Sequence, residues 1–244
     1  MKTLEYTLKY SVQKTDKKIS AVIVAAGKSS RMKGVNKQLV SLKNIPVIIR
    51  TMKVFQDSPI VSNIIVVCRN SDINDIQNLS FEYELTKLTD VVEGGNCRAE
   101  SVKNGIERLD ADCDIVLIHD GARPFVDNRM IEEVVAAAGN YGAAACAVNL
   151  KDTVKVVNED GKIISTPNRD FMRAVQTPQG FKANLYREAL QKAEGKLQQF
   201  TDDCAVAEYA GFDVYTVLGS YKNIKITTPE DIIIAGAFLE EESK

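Results

Sequence analysis

The chain alternates short apolar runs with amphipathic stretches. Residues Ile19 to Ala26 (ISAVIVAA) form a nearly unbroken apolar run, the pattern of a strand buried on both faces of a parallel sheet. NIIVVC from Asn63 to Cys68, DIVLI from Asp114 to Ile118 and AAACAV from Ala143 to Val148 repeat that pattern. Helical spacing fills the gaps. Pro46 to Phe55 is predicted as a helix, with Pro46 suited to its first turn. Cys97 to Leu109 repeats apolar positions at helical spacing. Asn128 to Ala138 follows Asp127, a good N-cap, and is predicted to stop at Gly139. Further on, Lys182 to Glu194 and Asp203 to Ala210 read as helices, the second ended by Gly211. Asp213 to Leu218 reads as a strand. Thr228 and Pro229 open a last helix as cap and first helical residue. This alternation predicts an α/β fold with a doubly wound, mostly parallel, Rossmann-like sheet. Ligands on such sheets sit at the carboxyl ends of strands, near the switch point.

One segment breaks the alternation. Thr153 to Val157 and Lys162 to Thr166 flank Asn158-Glu159-Asp160-Gly161, a β-hairpin with a glycine-containing turn. The hairpin is an arm for a partner subunit or a lid; the alternative is a peripheral hairpin packed on its own sheet. Residues 1–17 are polar and read as an accessory extension, leaving 18–244 as a single domain with 150–173 as its projecting arm.

Composition narrows the function. The chain has 244 residues with 31 Lys plus Arg against 33 Asp plus Glu, a net charge of −2. No global field favours nucleic acid or an anionic membrane, so any anion site must be a local cluster of cations. No apolar run is long enough to span a membrane, and the N-terminus lacks the apolar core of a secretory signal. The 5 cysteines (Cys68, Cys97, Cys113, Cys146 and Cys204) are odd in number, with no Cys-x-x-Cys pair. That argues against a disulfide framework or a zinc site and for a reducing cytoplasm. The single histidine, His119, excludes a His-rich metal centre. It reads as structural, because the adjacent Asp120 should point to the opposite face of a strand and cannot complete a Ser-His-Asp triad with it.

Four sites carry candidate chemistry. The first follows the first strand: Ala25-Ala26-Gly27-Lys28-Ser29-Ser30-Arg31-Met32, then Lys37. Small residues let backbone N–H groups approach a phosphate or base, and Arg31 and Lys37 add positive charge. The pattern fits neither Gly-x-Gly-x-x-Gly nor the P-loop. Its plainer reading is a strand-to-helix turn with solvated cations. The second is Glu93-Gly94-Gly95-Asn96-Cys97-Arg98-Ala99-Glu100-Ser101, joining a strand ending near Val92 to a helix whose N-terminus favours an anion or polar edge. Its plainer reading is a glycine-rich turn capped by Asn96. The third is His119-Asp120-Gly121-Ala122-Arg123-Pro124. A strand-end carboxylate suits a divalent metal or a sugar hydroxyl, and Arg123 offers a fork matched to phosphate; the alternative is a simple Asp120–Arg123 pair. The fourth gathers Asp152-Thr153, Arg169, Thr177-Pro178-Gln179 and Asn223-Ile224-Lys225-Ile226-Thr227.

In combination these motifs resemble the cytidylyltransferases that act on 2-C-methyl-D-erythritol 4-phosphate in non-mevalonate isoprenoid biosynthesis. The resemblance runs from about Ile19 to Leu239 through AAGKSSRM with Lys37, GGNCRAESV, HDGARPF, RAVQTPQGF, TDDCAVAEYAG and NIKITTPEDI. It implies an enzyme that joins CTP to the sugar-alcohol phosphate and releases pyrophosphate. It also implies Mg2+ or another divalent cation, and a homodimer clasped through the arm. By position, Arg31 and Lys37 would stabilise the transition state at the CTP phosphates. Arg169, reaching from the partner subunit's arm, and Lys225 would position the acceptor phosphate. Ala25, Ala26, Gly27, Gly95, Asn96 and Ser101 would surround the nucleotide. Asp120, Arg123, Thr153 and Thr177 would hold the acceptor, with Asp120 a metal ligand if the protein supplies one. Ser29 and Asn96 depart from the glycine and aspartate that many members carry there.

The residue inventory suits that chemistry. A phosphate monoester is largely dianionic near neutral pH, with a second pKa of about 6, so it attacks without a general base. Positioning and electrostatics then carry the rate. The rivals are a ribitol 5-phosphate cytidylyltransferase on the same motifs and a non-catalytic nucleotide-binding module. The second would lose the phosphate-side cations that Arg31, Lys37 and Lys225 supply here. A glycosyltransferase is disfavoured, because no Asp-x-Asp motif stands at the carboxyl end of a strand.

Overall fold

The computed structural model describes residues 16–27 and 36–241. The first half of the chain runs β1 (Ile19–Val24), β2 (Ser41–Leu42), β3 (Ile45–Pro46), α1 (Val47–Asp57), β4 (Asn63–Cys68), α2 (Ile73–Glu82), β5 (Leu88–Glu93), α3 (Arg98–Ile106) and β6 (Ile115–Asp120). The second half runs α4 (Asn128–Tyr141), β7 (Ala143–Asn149), β8 (Val156–Val157), β9 (Ile163–Ser165), β10 (Arg173–Lys182), α5 (Ala183–Lys192), α6 (Asp203–Tyr209), β11 (Tyr215–Leu218) and α7 (Pro229–Glu241). The main sheet has 7 strands in the order β11-β7-β10-β6-β1-β4-β5. β10 is antiparallel to both its neighbours; every other pairing in this sheet is parallel.

Strand periodicity splits the core. Ile19, Ala21, Ile23, Ile64, Val66, Ile115 and Leu117 face α1, α2 and α4, while Val22, Ile65, Val67, Val116 and Ile118 face α3, α5 and α6. Alternate residues of one strand thus feed two cores, which is why these strands read as continuous apolar runs. Each fully buried side chain of this size contributes about 1.5–3 kcal/mol. After β1 the chain crosses to β4 on one side, and later returns to β6 on the other. The switch point therefore lies between the carboxyl ends of β1 and β6, beside Ala25–Gly27 and Asp120–Arg123. A third, smaller cluster (Leu42, Val47, Ala122, Ile226, Ala235 and Leu239) seats α7 against the β6 turn.

Two local expectations shift. α4 continues through Gly139 to Tyr141, and the residue that ends it is Gly142, at φ +100° with its N–H on Ala138 O. β10 carries no strand expectation in the sequence, because Pro178 sits in its middle. The sheet absorbs the proline with a bulge. Val175 pairs with Ala147 and Gln179 with Ala145, so Gln176, Thr177 and Pro178 fall out of register against β7. Bulges re-aim side chains, and this one turns Thr177 toward the end of β6 and Gln176 toward Ser220 and Asn223.

The arm forms as the sequence predicts. β8 and β9 pair antiparallel, Asn158 caps the turn by accepting the Lys162 N–H at 2.8 Å, and Gly161 takes φ +81°. Its apolar residues have no core to enter: Val157, Ile163 and Ile164 are 53%, 55% and 60% exposed.

Candidate active site

Three turns, after β1, β5 and β6, meet at the carboxyl edge of the sheet. Ala25 N–H donates to Val67 O, Gly94 N–H to Cys68 O and Gly121 N–H to Val24 O, so each turn is tied to the neighbouring strand. Gly94 lies where a Cβ would collide with Ala26 and Ser101, so the turns after β1 and β5 pack backbone against side chain with no room for a larger residue. The Ser101 hydroxyl accepts the Gly95 N–H at 3.1 Å and donates to Cys97 O at 2.9 Å. The Glu100 carboxylate accepts the Asn96 N–H at 2.7 Å, while Cys97 Sγ accepts the Glu100 N–H at 3.4 Å. This is a reciprocal cap, and it places the N-cap of α3 at Cys97, one residue beyond Asn96. Gly95 and Asn96 stay exposed beside the buried Ser101 and Ala25.

Arg31 and Ser29 lie outside the described residues. Lys37 is described, and it exposes only 9% of its surface. That removes the plain reading of a solvated surface lysine, since lysines are almost never buried without a partner. The turn holding it is anchored through Asn36, whose Nδ2 donates to Asp72 Oδ2 at 3.0 Å; Asp72 in turn pairs with Arg69 at 2.8 Å.

Asp120 is the centre of charge. Lys225 Nζ stands 2.9 Å and Arg123 Nε 3.2 Å from its Oδ2, and Arg98 Nε stands 3.7 Å from Oδ1. Burial alone would raise this carboxyl, but Lys225, Arg98 and Arg123 outweigh burial and hold it below the usual carboxylate range. Its backbone N–H donates to Thr177 Oγ1 at 3.0 Å, the contact the β10 bulge makes possible. The Asp120–Arg123 pair anticipated as the plainer reading does form, within a larger cluster. Asn223 assembles the far wall: its Nδ2 donates to Thr177 O at 2.8 Å, and its carbonyl accepts from Arg123 at 2.8 Å. The Ile226 N–H on Ala122 O then fixes the segment that delivers Lys225. His119 points away, as alternation predicts. It is fully buried against Phe55 with its Nε2 on Arg123 O at 3.1 Å, and burial depresses its pKa to about 3. A neutral ring that cannot charge supports a structural role.

The structure thus brings Ala25, Ala26, Gly95, Asn96 and Ser101 to one rim, and Asp120, Arg123, Thr177 and Lys225 to the facing one. Arg169 and Thr153 lie apart on the arm, both exposed, with the Arg169 guanidinium on Lys151 O at 3.0 Å. Sequence reasoning named Asn223 within the fourth group but gave no role to Arg98, Tyr186 or Asp203 as members of the site. Arg98 and Asp203 stand within the quoted motifs, but a charge in the first turn of a helix carries no signal that it faces inward. Among the described residues, no group of three His, Cys, Asp or Glu side chains is placed to hold a metal. The oxygens of Asp120 face three cations, Lys225, Arg123 and Arg98.

A family model described as 2-C-methyl-D-erythritol 4-phosphate cytidylyltransferase matches residues 19–241. A protein of that name from Clostridium novyi is 46% identical over 222 residues, covering 90% of this chain and 96% of the relative. One from Alkaliphilus metalliredigens is 42% identical, covering 92% and 94%. Among solved structures, the 4-diphosphocytidyl-2C-methyl-D-erythritol synthase of Anaerococcus prevotii superposes with a TM-score of 0.83 at 34% identity, covering 92% of this chain and 96% of that one. With its motifs gathered at one sheet edge, the chain belongs to the 2-C-methyl-D-erythritol 4-phosphate cytidylyltransferase family.

Proposed function

We infer that this chain transfers the cytidylyl group of CTP to 2-C-methyl-D-erythritol 4-phosphate, forming 4-diphosphocytidyl-2-C-methyl-D-erythritol. An acceptor phosphate oxygen bonds to the α-phosphorus, and the bond to the β,γ-pyrophosphate breaks. The observation that carries this reading is a family match spanning the whole described sheet, together with a buried cation cluster at its switch point. The glycine turns at 25–27 and 94–96 hold the nucleotide. Asp120, Arg123, Thr177 and Lys225 hold the acceptor. Arg31 and Lys37 meet the charge that grows at the α-phosphate, where preorganised donors act without reorganising solvent. Mg2+ or another divalent cation would be held by Asp120 or through the CTP phosphates, and would neutralise charge that grows on those phosphates.

The active form is a homodimer. Supporting this, the arm exposes Val157, Ile163, Ile164 and Phe171 together, an apolar surface that a second copy can cover. Arg169 and Thr153 then reach an acceptor bound in the partner's cluster. The enzyme works in the cytoplasm, without membrane or nucleic acid; no helix of the described residues is long and apolar enough to cross a membrane.

The test is pyrophosphate release with CTP, ATP and GTP, each crossed with methylerythritol phosphate and ribitol 5-phosphate. CTP with methylerythritol phosphate should dominate. Preference for ribitol 5-phosphate would reassign the acceptor, and equal use of ATP would overturn the cytidine assignment.

A further inference from the structure

Behind Asp120 lies a second carboxylate that the reaction does not touch. Asp203, in the first turn of α6, is completely buried. Its Oδ2 pairs with the Arg98 guanidinium at 2.7 Å, and its Oδ1 accepts the Tyr186 hydroxyl at 2.8 Å. The Gln179 amide oxygen accepts the backbone N–H groups of Asp203 and Cys204, each at 3.1 Å, which bolts α6 to β10 just past the bulge. Arg98 therefore spans two carboxylates. One face is fixed by Asp203, while Nε reaches the inner oxygen of Asp120. Burial pushes the Asp203 carboxyl upward against the pull of Arg98 and Tyr186, so keeping it there is a cost to the fold. Apolar residues of similar volume usually serve stability as well as a buried ion pair does. The arrangement calls for a role beyond packing.

We propose that Tyr186, Asp203 and Arg98 form a positioning relay for Asp120. Tyr186 and Asp203 hold the guanidinium, and the guanidinium holds Oδ1. Oδ2 is thereby kept toward Lys225 and Arg123, the orientation in which Asp120 meets the acceptor. Arg98 is a positioning residue, since Asp120 stands between it and the acceptor site. Its main chain also begins α3, so the relay joins the acceptor side of the cleft to the helix under the nucleotide. This inference rests on the acceptor role given to Asp120 above.

The test is steady-state kinetics of the full chain with CTP and methylerythritol phosphate varied separately, alongside thermal unfolding. The variants are Tyr186→Phe, Asp203→Asn, Arg98→Lys, Arg98→Gln and the double variant Arg98→Gln/Asp203→Asn. Tyr186→Phe keeps the ring packed on Phe181, at 4.5 Å between centroids, and removes only the hydroxyl. Loss of a hydrogen bond to a charged group should lower kcat/KM for the acceptor about tenfold in Arg98→Gln and Asp203→Asn, and about threefold in Tyr186→Phe. The KM for CTP should stay within about twofold, and the double variant should be little worse than either single one, because the residues act as a unit. Arg98→Lys keeps the charge and should recover part of the loss, but not all of it, since an ammonium cannot span both carboxylates. Folded variants that lose stability but keep both KM values and kcat overturn the relay. So does a loss confined to the KM for CTP, which would place the action of Arg98 in the α3 turn. A wild-type chain that releases no pyrophosphate from this substrate pair overturns the functional reading beneath it, a result separable from any variant's behaviour.

Discussion

The Asp120 cluster and the hairpin arm are opposite solutions to placing side chains. In the cluster, two buried carboxylates are met by partly buried cations, and each group has a counter-charge. Arg98, Arg123 and Lys225 face Asp120, and Arg98 also faces Asp203. Three cations against two carboxylates leave a surplus of one positive charge. On the arm, apolar groups are exposed and nothing described covers them. The cluster carries surplus positive charge, and the arm carries exposed apolar surface. Buried charge gives directed recognition of a small anion, whereas exposed apolar surface gives broad, undirected adhesion to protein.

Lys37→Ala is the harshest test on the cluster side. A contact made mainly in the transition state should cost about 10²–10³ in kcat, with a smaller change in KM for CTP and an intact fold. Near-native kcat would leave Arg31 and Lys225 to account for the chemistry. Asp120→Asn should come next. It strands three cations around a neutral amide, and breaking a buried ion pair from one side costs about 3–5 kcal/mol of stability. Urea unfolding that finds less than about 1 kcal/mol would mean these cations are already served by water. CTP or inorganic phosphate should partly restore that variant's midpoint.

A third, smaller effect is pH-dependent. His119 falls from the ordinary 6.5 to about 3 on folding, and it is the chain's only histidine. Between those values the unfolded chain binds a proton that the folded chain refuses. Stability is therefore full above pH 6.5 and declines as pH falls toward 3, by about 2 kcal/mol at pH 5. The difference between wild type and His119→Asn in urea midpoint, followed from pH 7 to 5, isolates this contribution. A flat difference would show that the ring charges in place. The arm supplies the smallest change in monomer stability. Ile163→Asp should move it by no more than about 0.5 kcal/mol, because the residue is exposed. Sedimentation should nonetheless show the dimer lost, and activity should fall with it. A fully active monomer would detach the arm from the site.

Legibility followed the kind of signal each region carries. The parallel strands and the two-layer core were readable, because alternate residues of β1, β4 and β6 feed two apolar cores and leave few polar positions in the run. The hairpin was readable from Asn158 and Gly161, whose turn chemistry is local. β10 was not, because its proline sits in a bulge whose justification is tertiary: Thr177 meets the Asp120 N–H from 57 positions away. The candidate residues at strand ends were legible as residue types, and their convergence followed from the switch point. Arg98 and Asp203 were opaque as partners, since a pairing across 105 positions has no local pattern. Lys37 was visible as a charge, but its burial was not, because that depends on how the turn after β1 folds back.

The single reversed strand has a consequence for how the protein is made. β6 is flanked by β1 on one side and by β10 on the other, and 62 residues separate Asp120 from Lys182. During translation at about 5–20 residues per second, the half-sheet β5-β4-β1-β6 exists for about 3–12 s with the β6 edge unpaired. That edge is Ile115–Asp120, entirely buried in the finished protein and apolar along most of its length. An open apolar edge is a template for association with other nascent chains. The interval that delivers β10, arm included, thus sets how long that edge waits for its partner strand.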